Sequence, residues 1–394
     1  MAWPLSQRIQ SFQPSATVRV SNLAAQMMTN GEDVINLAMG EPDFDTPEHI
    51  ISAAIQAMHT GQTRYTLVGG TLGLRQAICN KYAQENQLIY SNKQVLVSNG
   101  AKQSIYNLTV ALLEAGDEVI IPAPYWVSYS AMVAMTGAAC VIIACPAQQN
   151  FKLTPAQLEA AITPATKLLM INSPSNPSGQ AYSAQEWLAL GEVLRRHPQV
   201  FVLSDDIYEH IYWGQTPLLN LVNVCPDLAP RCVLINGVSK AYAMTGWRIG
   251  YAVGPEAIIS AMTMVQVESS SCASSISQAA AEAALTGPQE LLQPMVSAYQ
   301  KRHDYVLEQL NKMSGIEALS SLGTFYSFPN CEVAMQRLGY EDDVALVQAI
   351  LEQTGVALVP GSAFGLAGHL RLSYAAEMAV IEQACERLAA FLKA

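Results

Sequence analysis

Charged residues are scarce in this chain. Asp, Glu, Lys and Arg make up 13% of its 394 residues, while hydrophobic side chains make up 51%. That balance excludes a disordered chain and indicates a well-filled core. Basic residues are in the minority, 21 Lys and Arg against 32 Asp and Glu, for a formal net charge of -11. Nucleic acid and anionic membrane surfaces would repel such a chain, so any anion site must be local. No apolar run approaches the roughly 20 residues of a membrane span. The start, MAWPLSQRIQSFQPSATVRV, lacks the apolar stretch of a secretory signal. The 8 cysteines contain no CxxC pair and have no accompanying His cluster, so no zinc or other metal framework is expected. Buried free thiols are expected instead, and with them a reducing, cytoplasmic setting.

What is present is a long alternation of apolar runs and helix-like stretches. A chain of this length exceeds the usual ceiling for one hydrophobic core, so two lobes are expected. Short β-branched runs lie near Val95, Val119, Val141, Leu168, Val202, Val233 and Ile249, each leading into a polar or Gly-rich turn. Stretches such as AKQSIYNLTVALLEAG and SAQEWLALGEVLRRH separate most of them. The second opens on Ser183 with Glu186 three residues on, the pattern of a capping box. The alternation predicts an α/β fold: a mostly parallel seven-stranded sheet flanked by helices. After about Ser297 the pattern changes to a long helix and short strands, which predicts a smaller α+β lobe built from both termini. The expected division is residues 1–48 as an N-terminal arm and part of the small lobe, 49–297 as the large lobe, and 298–394 as the rest of the small lobe.

Five stretches carry chemistry. In SKAYAMTGWRIG, Lys240 follows the apolar run CVLI, and Arg248 lies eight positions on. A lysine at a strand end sits where ligands gather in α/β folds, and an arginine nearby can fork onto a phosphate. That pairing points to a Schiff base with pyridoxal phosphate. In VLVSNGAKQSIYNL, Gly100, Ala101 and Lys102 would open a helix whose free N–H groups attract an anion; an ordinary βα turn is the alternative. INSPSNPSGQ places Asn176 in a sharp turn, either as a structural bend or as a donor to a ring oxygen, and a cis Pro bond is expected there. VFVLSDDIYEH ends a strand with Asp205, Asp206 and Tyr208. Asp205 can hold a pyridine nitrogen protonated and Tyr208 can donate to the ring oxygen. Asp206 is assigned to a solvated turn or a helix cap. GHLRLSYA puts Arg371 inside an apolar strand, where it needs either a substrate carboxylate or a structural ion pair.

Taken together, in this order and spacing, these stretches resemble the class I (fold-type I) pyridoxal-phosphate aminotransferases, most closely the bacterial aspartate aminotransferases. The resemblance runs from PSATVRV through GEPDFDTP and YWVSY to LSYA. It implies that Lys240 forms the internal Schiff base and acts as general base. It also implies that Ser239, Arg248 and the backbone of Gly100, Ala101 and Lys102 hold the phosphate of pyridoxal 5'-phosphate. Trp126 resembles the aromatic stacked on the cofactor ring. Asp205 resembles the carboxylate on the pyridine nitrogen, with Asn176 and Tyr208 as donors to the ring oxygen. Arg371 resembles the clamp for the substrate α-carboxylate, and Gly40 the glycine lying against that carboxylate. Tyr65 resembles a tyrosine that reaches the phosphate of a neighbouring subunit, which implies a homodimer with shared sites.

The same resemblance bears on substrate. Lys102, Ser15 and Thr17 match residues that help hold a side-chain carboxylate, favouring aspartate and 2-oxoglutarate. Relatives that also accept prephenate carry a lysine just before the proline of PSATV, where this chain has Gln13, which speaks against that activity. Gly237 stands where some relatives have a phosphate-binding serine, leaving Ser239 as the nearby hydroxyl. Alternatives are an aminotransferase for alanine or aromatic amino acids, or a C–S lyase or acyl transferase using the same cofactor. A non-catalytic pyridoxal-binding regulator would need a nucleic-acid-binding segment, and no basic helix is evident.

Overall fold

The computed structural model describes residues 5–6, 9 and 16–393. The helix Ala16–Thr29 is followed by the short strand β1 (Ile35–Asn36) and the helices Glu48–His59 and Leu72–Glu85. The seven β-branched runs then become β2 (Val95–Ser98), β3 (Glu118–Ala123), β4 (Ala139–Ala144), β5 (Thr166–Asn172), β6 (Phe201–Asp205), β7 (Cys232–Gly237) and β8 (Gly250–Val253). They form one sheet in the order β2-β8-β7-β6-β5-β3-β4. Pairings among β3 to β7 are all parallel, and only β8 runs against its neighbours. The fold is therefore α/β with a mostly parallel sheet, as expected.

Burial explains why these runs were so apolar. Strands β2, β7 and β8 are buried at every position, because helices cover both faces of the sheet. The edge strand β4 alone keeps exposed positions, at its two ends and at Ile142. One face packs against Trp187, Leu190 and Leu194 of the helix Ala184–Arg196. The other packs against Ile105 and Leu108 of the helix Ala101–Leu112 and Met132 of Ser128–Thr136. The capping box forms: the Glu186 N–H donates to Ser183 Oγ, and the Ser183 N–H donates to Glu186 Oε2.

A separate core lies beyond the sheet. There Tyr299, Val306, Leu346, Ile350 and Leu388 pack with Ile35 and Leu37. The helix Leu292–Leu310 bridges the two cores, with Leu292 in the first and Met295 onward in the second. β1 pairs with β10 (Val356–Ala357), so the N-terminal stretch joins the C-terminal one through backbone hydrogen bonds. A small antiparallel sheet follows from β9 (Tyr326–Ser327), β11 (Val359–Pro360) and β12 (Leu370–Ser373), ordered β11-β12-β9. All eight cysteines are free thiols. Among the described residues no helix is long and apolar enough to cross a membrane.

Candidate active site

Parallel strands bring their C-terminal ends to one edge, and the residues after them face a common crevice. β5 ends at Asn172, β6 at Asp205 and β7 at Gly237, while β2 runs through Gly100 into the helix Ala101–Leu112. A cavity of about 450 Å³ opens at this edge. Gly40, Ala101, Lys102, Trp126, Asn176, Asp205, Tyr208, Ser239, Lys240, Arg248 and Arg371 all line it.

The lysine is held in a defined place. Lys240 Nζ donates to the Gly40 carbonyl at 2.6 Å. A side chain at position 40 would put its Cβ 2.3 Å from Tyr326 Oη, so only glycine lets the backbone approach this closely. Burial pushes the Lys240 amine down to about 8; the charges of Glu41 and Asp205 oppose the shift, while Arg371 and Arg248 reinforce it. A neutral amine is required for attack on a carbonyl. The reaction of the protein with an aldehyde is therefore expected to rise between pH 7 and 9 and level off above. A rise only above about pH 10, the range of an ordinary lysine, would contradict this environment.

Across the cavity, Asp205 is buried. Tyr129 Oη donates to its Oδ2 at 2.5 Å, and the Ile207 N–H donates to its Oδ1 at 3.2 Å. Burial pushes this carboxyl up to about 6, against the pull of both donors and of Lys240. Tyr208 Oη lies 3.0 Å from Tyr326 Oη. The Asn176 N–H donates to Asn172 Oδ1, and its own Oδ1 accepts from Arg371 Nη1 at 3.2 Å. The run INSPSNPSGQ contains two cis bonds, Ser173–Pro174 and Asn176–Pro177.

An anion cradle occupies one end. No side chain caps the N-terminus of the helix Ala101–Leu112, so its first N–H groups remain for a ligand. Gly100 has φ +82°, and a Cβ there would lie 2.2 Å from Arg248 Nη2. Arg248 itself has φ +58°, a strained backbone for a non-glycine residue that is characteristic of functional positions. Its guanidinium donates to the Thr245 carbonyl at 2.8 Å. Lys102 Nζ lies 4.8 Å above the Trp126 ring, and burial lowers its pKa, with help from Arg248.

Arg371, on β12, is 4% exposed. It donates to Asn176 Oδ1 and to the Ala38 carbonyl, while its Nε has no partner. Its guanidinium sits 4.6 Å from the Tyr326 ring and 4.9 Å from that of Phe364. Its acceptors among the described residues are an amide oxygen and a backbone carbonyl, with no carboxylate, so the expected internal ion pair is not formed there. A buried guanidinium with an unused donor has capacity for one further acceptor.

Other expectations fall differently. Tyr65 is 93% exposed and stands outside the cavity of its own chain. Ser15 and Gln13 lie outside the described residues, and Thr17 is described only as helix backbone. The assignment of Asp206 to a solvated turn or cap is corrected: it is 2% exposed, accepting from Ser204 Oγ at 2.7 Å and Asn220 Nδ2 at 3.0 Å. Burial and the Glu209 charge push this carboxyl up to about 8, against the pull of those two donors. Tyr129 and Tyr326, which line the cavity, were not singled out in the sequence. A tyrosine in an apolar stretch looks like core, and the only available signal was Tyr129's place one helical turn after Trp126.

An amine of lowered pKa, a buried carboxylate, a helix N-terminus without a side-chain cap beside Arg248, and a buried arginine with one unused donor share one cavity on an α/β scaffold, an arrangement suited to amine–carbonyl chemistry. The family model for aminotransferase class I and II matches residues 32–388. The chain belongs to this family and is a transaminase. It is 48% identical to the aspartate/prephenate aminotransferase of Nitrosomonas europaea, covering 98% of this chain and 99% of that one. It is 46% identical to an aspartate aminotransferase of Rhizobium meliloti, covering 98% and 95%. Among solved structures, the aspartate aminotransferase from Rhizobium meliloti superposes with a TM-score of 0.95 at 45% identity, covering 100% and 99%. The Thermus thermophilus aspartate aminotransferase with maleate gives 0.93 at 38% identity, covering 99% and 100%.

Proposed function

We propose that this protein is a pyridoxal 5'-phosphate-dependent aminotransferase that exchanges the amino group between L-aspartate and 2-oxoglutarate. The observation that carries the reading is the shared cavity: Lys240, Asp205, the uncapped helix end with Arg248, and the unpaired Arg371 all face it. The residues fit that cofactor. An amine, a carboxylate and a cradle of N–H groups match its aldehyde, its pyridine nitrogen and its phosphate.

Bound there, the cofactor supplies an electron sink that makes the substrate α-proton removable. Each residue has a part. Lys240 would hold the cofactor through its amine and would carry the α-proton. Asp205 keeps the ring nitrogen protonated. Asn176 and Tyr208 donate to the ring oxygen, and Trp126 covers a ring face. Ser239, Arg248 and the N–H groups of Ala101 and Lys102 hold the phosphate, joined by Tyr65 from a second copy of the chain; the Gly100 N–H, expected to join them, is spent on the Ser98 carbonyl at 2.8 Å, and Gly100 serves by its close backbone approach. Arg371, with Asn176 and Gly40, grips the α-carboxylate. Two half-reactions in sequence give ping-pong turnover.

Lys102, with Ser15 and Thr17, receives the side-chain carboxylate. Support for a dicarboxylate comes from the solved relative with maleate, itself a dicarboxylate. The working unit is a cytoplasmic homodimer, consistent with eight free thiols and the outward Tyr65. The two lobes meet near residues 48 and 297 and close on the substrate. Titration tests the reading. The visible absorption of the loaded protein is expected to fall on adding L-aspartate and to return with 2-oxoglutarate. A band that ignores aspartate but falls with alanine or an aromatic amino acid would overturn the substrate assignment.

A further inference from the structure

Tyr129 touches both groups that the cofactor assignment sets against the ring. It lies on the helix Ser128–Thr136, is 1% exposed, and packs in the core with Ile105 and Met132. Its hydroxyl, however, has a carboxylate for a partner: Oη donates to Asp205 Oδ2 at 2.5 Å, in the range of charge-assisted O–H···O⁻ bonds. Its ring meets Trp126 edge to face, with centroids 5.5 Å apart and planes at 89°. Burial holds the phenol well above its usual pKa, so the proton stays on the tyrosine and the direction of donation is fixed.

Asp205 depends on that donor. Its Oδ1 takes a backbone N–H at 3.2 Å, a longer contact, and Tyr129 is the only side chain donating to it among the described residues. Charged and titratable groups acting on this pair are Lys240, Tyr208 and the neighbouring Asp206. Lys240 favours the ionised carboxylate. Tyr208 and Asp206 donate nothing to it, since Tyr208 Oη pairs with Tyr326 and Asp206 is held by Ser204 and Asn220.

We propose that Tyr129 is a positioning residue for the cofactor ring, its hydroxyl keeping Asp205 ionised and fixed at the cavity while its ring edge sets the plane of Trp126. The proposal rests on the cofactor assignment above. It goes beyond that assignment by naming what makes a buried carboxylate a reliable partner for a pyridinium nitrogen. Loss of the hydroxyl withdraws the main donor from Asp205, whose protonation then begins at higher pH.

The test is the pH dependence of pyridoxal phosphate affinity, measured by equilibrium titration of the protein and of Tyr129→Phe from pH 5.5 to 8.5. Phe keeps the ring and its contact with Trp126. The unsubstituted protein is expected to lose affinity below about pH 6. In the variant that edge moves up by about one unit, giving roughly three-fold weaker binding near pH 6.5, approaching ten-fold at pH 5.5, and almost no difference at pH 8.5. In an Asp205→Asn background, which has no charge to hold, Tyr129→Phe is expected to change affinity less than two-fold. An equal loss at every pH, an unmoved edge, or a full effect in the Asn background would show Tyr129 to be core filling and overturn the proposal. If the unsubstituted protein binds no pyridoxal phosphate, the cofactor assignment itself fails and the proposal falls with it.

Discussion

Lys240→Ala is expected to leave the cavity intact and transamination absent, with kcat reduced by roughly 10⁴-fold or more, at the upper end of what one general base contributes. The argument is one of position. Lys240 is the amine that burial brings to about pH 8 inside the cavity, and it reaches across to the Gly40 carbonyl. Lys102, the other cavity lysine, lies over Trp126 at the cradle end and is not placed to substitute. Both half-reactions need the same proton carried, so both should stop: neither loss of the visible band with aspartate nor its return with 2-oxoglutarate is expected. Single-turnover spectra of each half-reaction check this. Full turnover in the variant would remove Lys240 from its role.

Arg371→Ala should cost about 10²- to 10³-fold in kcat/KM for amino-acid and oxo-acid substrates, the scale of losing a bidentate charge-assisted contact in a buried site. Arg371 is buried, aligned by Asn176 and the Ala38 carbonyl, and flanked by Tyr326 and Phe364. The rigid fork matters as well as the charge, so Arg371→Lys is expected to recover only a small part of the loss. Pyridoxal phosphate affinity should change far less than kcat/KM, because Arg371 touches none of the residues assigned to the phosphate and reaches the ring's residues only through Asn176. Steady-state kinetics with the affinity measurement separate the cases. An unchanged kcat/KM would make Arg371 a structural residue.

Much of this was legible in the sequence for a simple reason. Strands buried on both faces must be continuously apolar, so β2 to β8 announce themselves as β-branched runs, and the residues just beyond them mark the crevice. Strand direction leaves no such trace: nothing in IGYAVG distinguishes β8, antiparallel to both neighbours, from the rest. Short strands such as β9 and β11 are equally hard to see, since two residues carry no period. Asp206 was misjudged because its partners are not evident from the local run. Ser204 lies two residues back, but Asn220 arrives from a later loop and turns an apparent surface aspartate into a buried one. Tyr129 escaped for the same reason, its partner Asp205 being 76 residues away in the chain.

The reversal of β8 has a mechanical consequence. β7 leaves the sheet at Gly237 and β8 returns at Gly250, so Ser239, Lys240 and Arg248 share one short loop between two hydrogen-bonded neighbours. The spacing of Lys240 from Arg248 is thus set locally, by a loop whose two ends are pinned in adjacent paired strands. Arg371 belongs to a different sheet, built around the second core. On the proposed roles, the phosphate's partners and the main substrate clamp sit on separate pieces of the fold, joined through the Asn176–Arg371 hydrogen bond. A substitution on the small sheet can therefore alter the Arg371 end while leaving the β7–β8 loop unchanged.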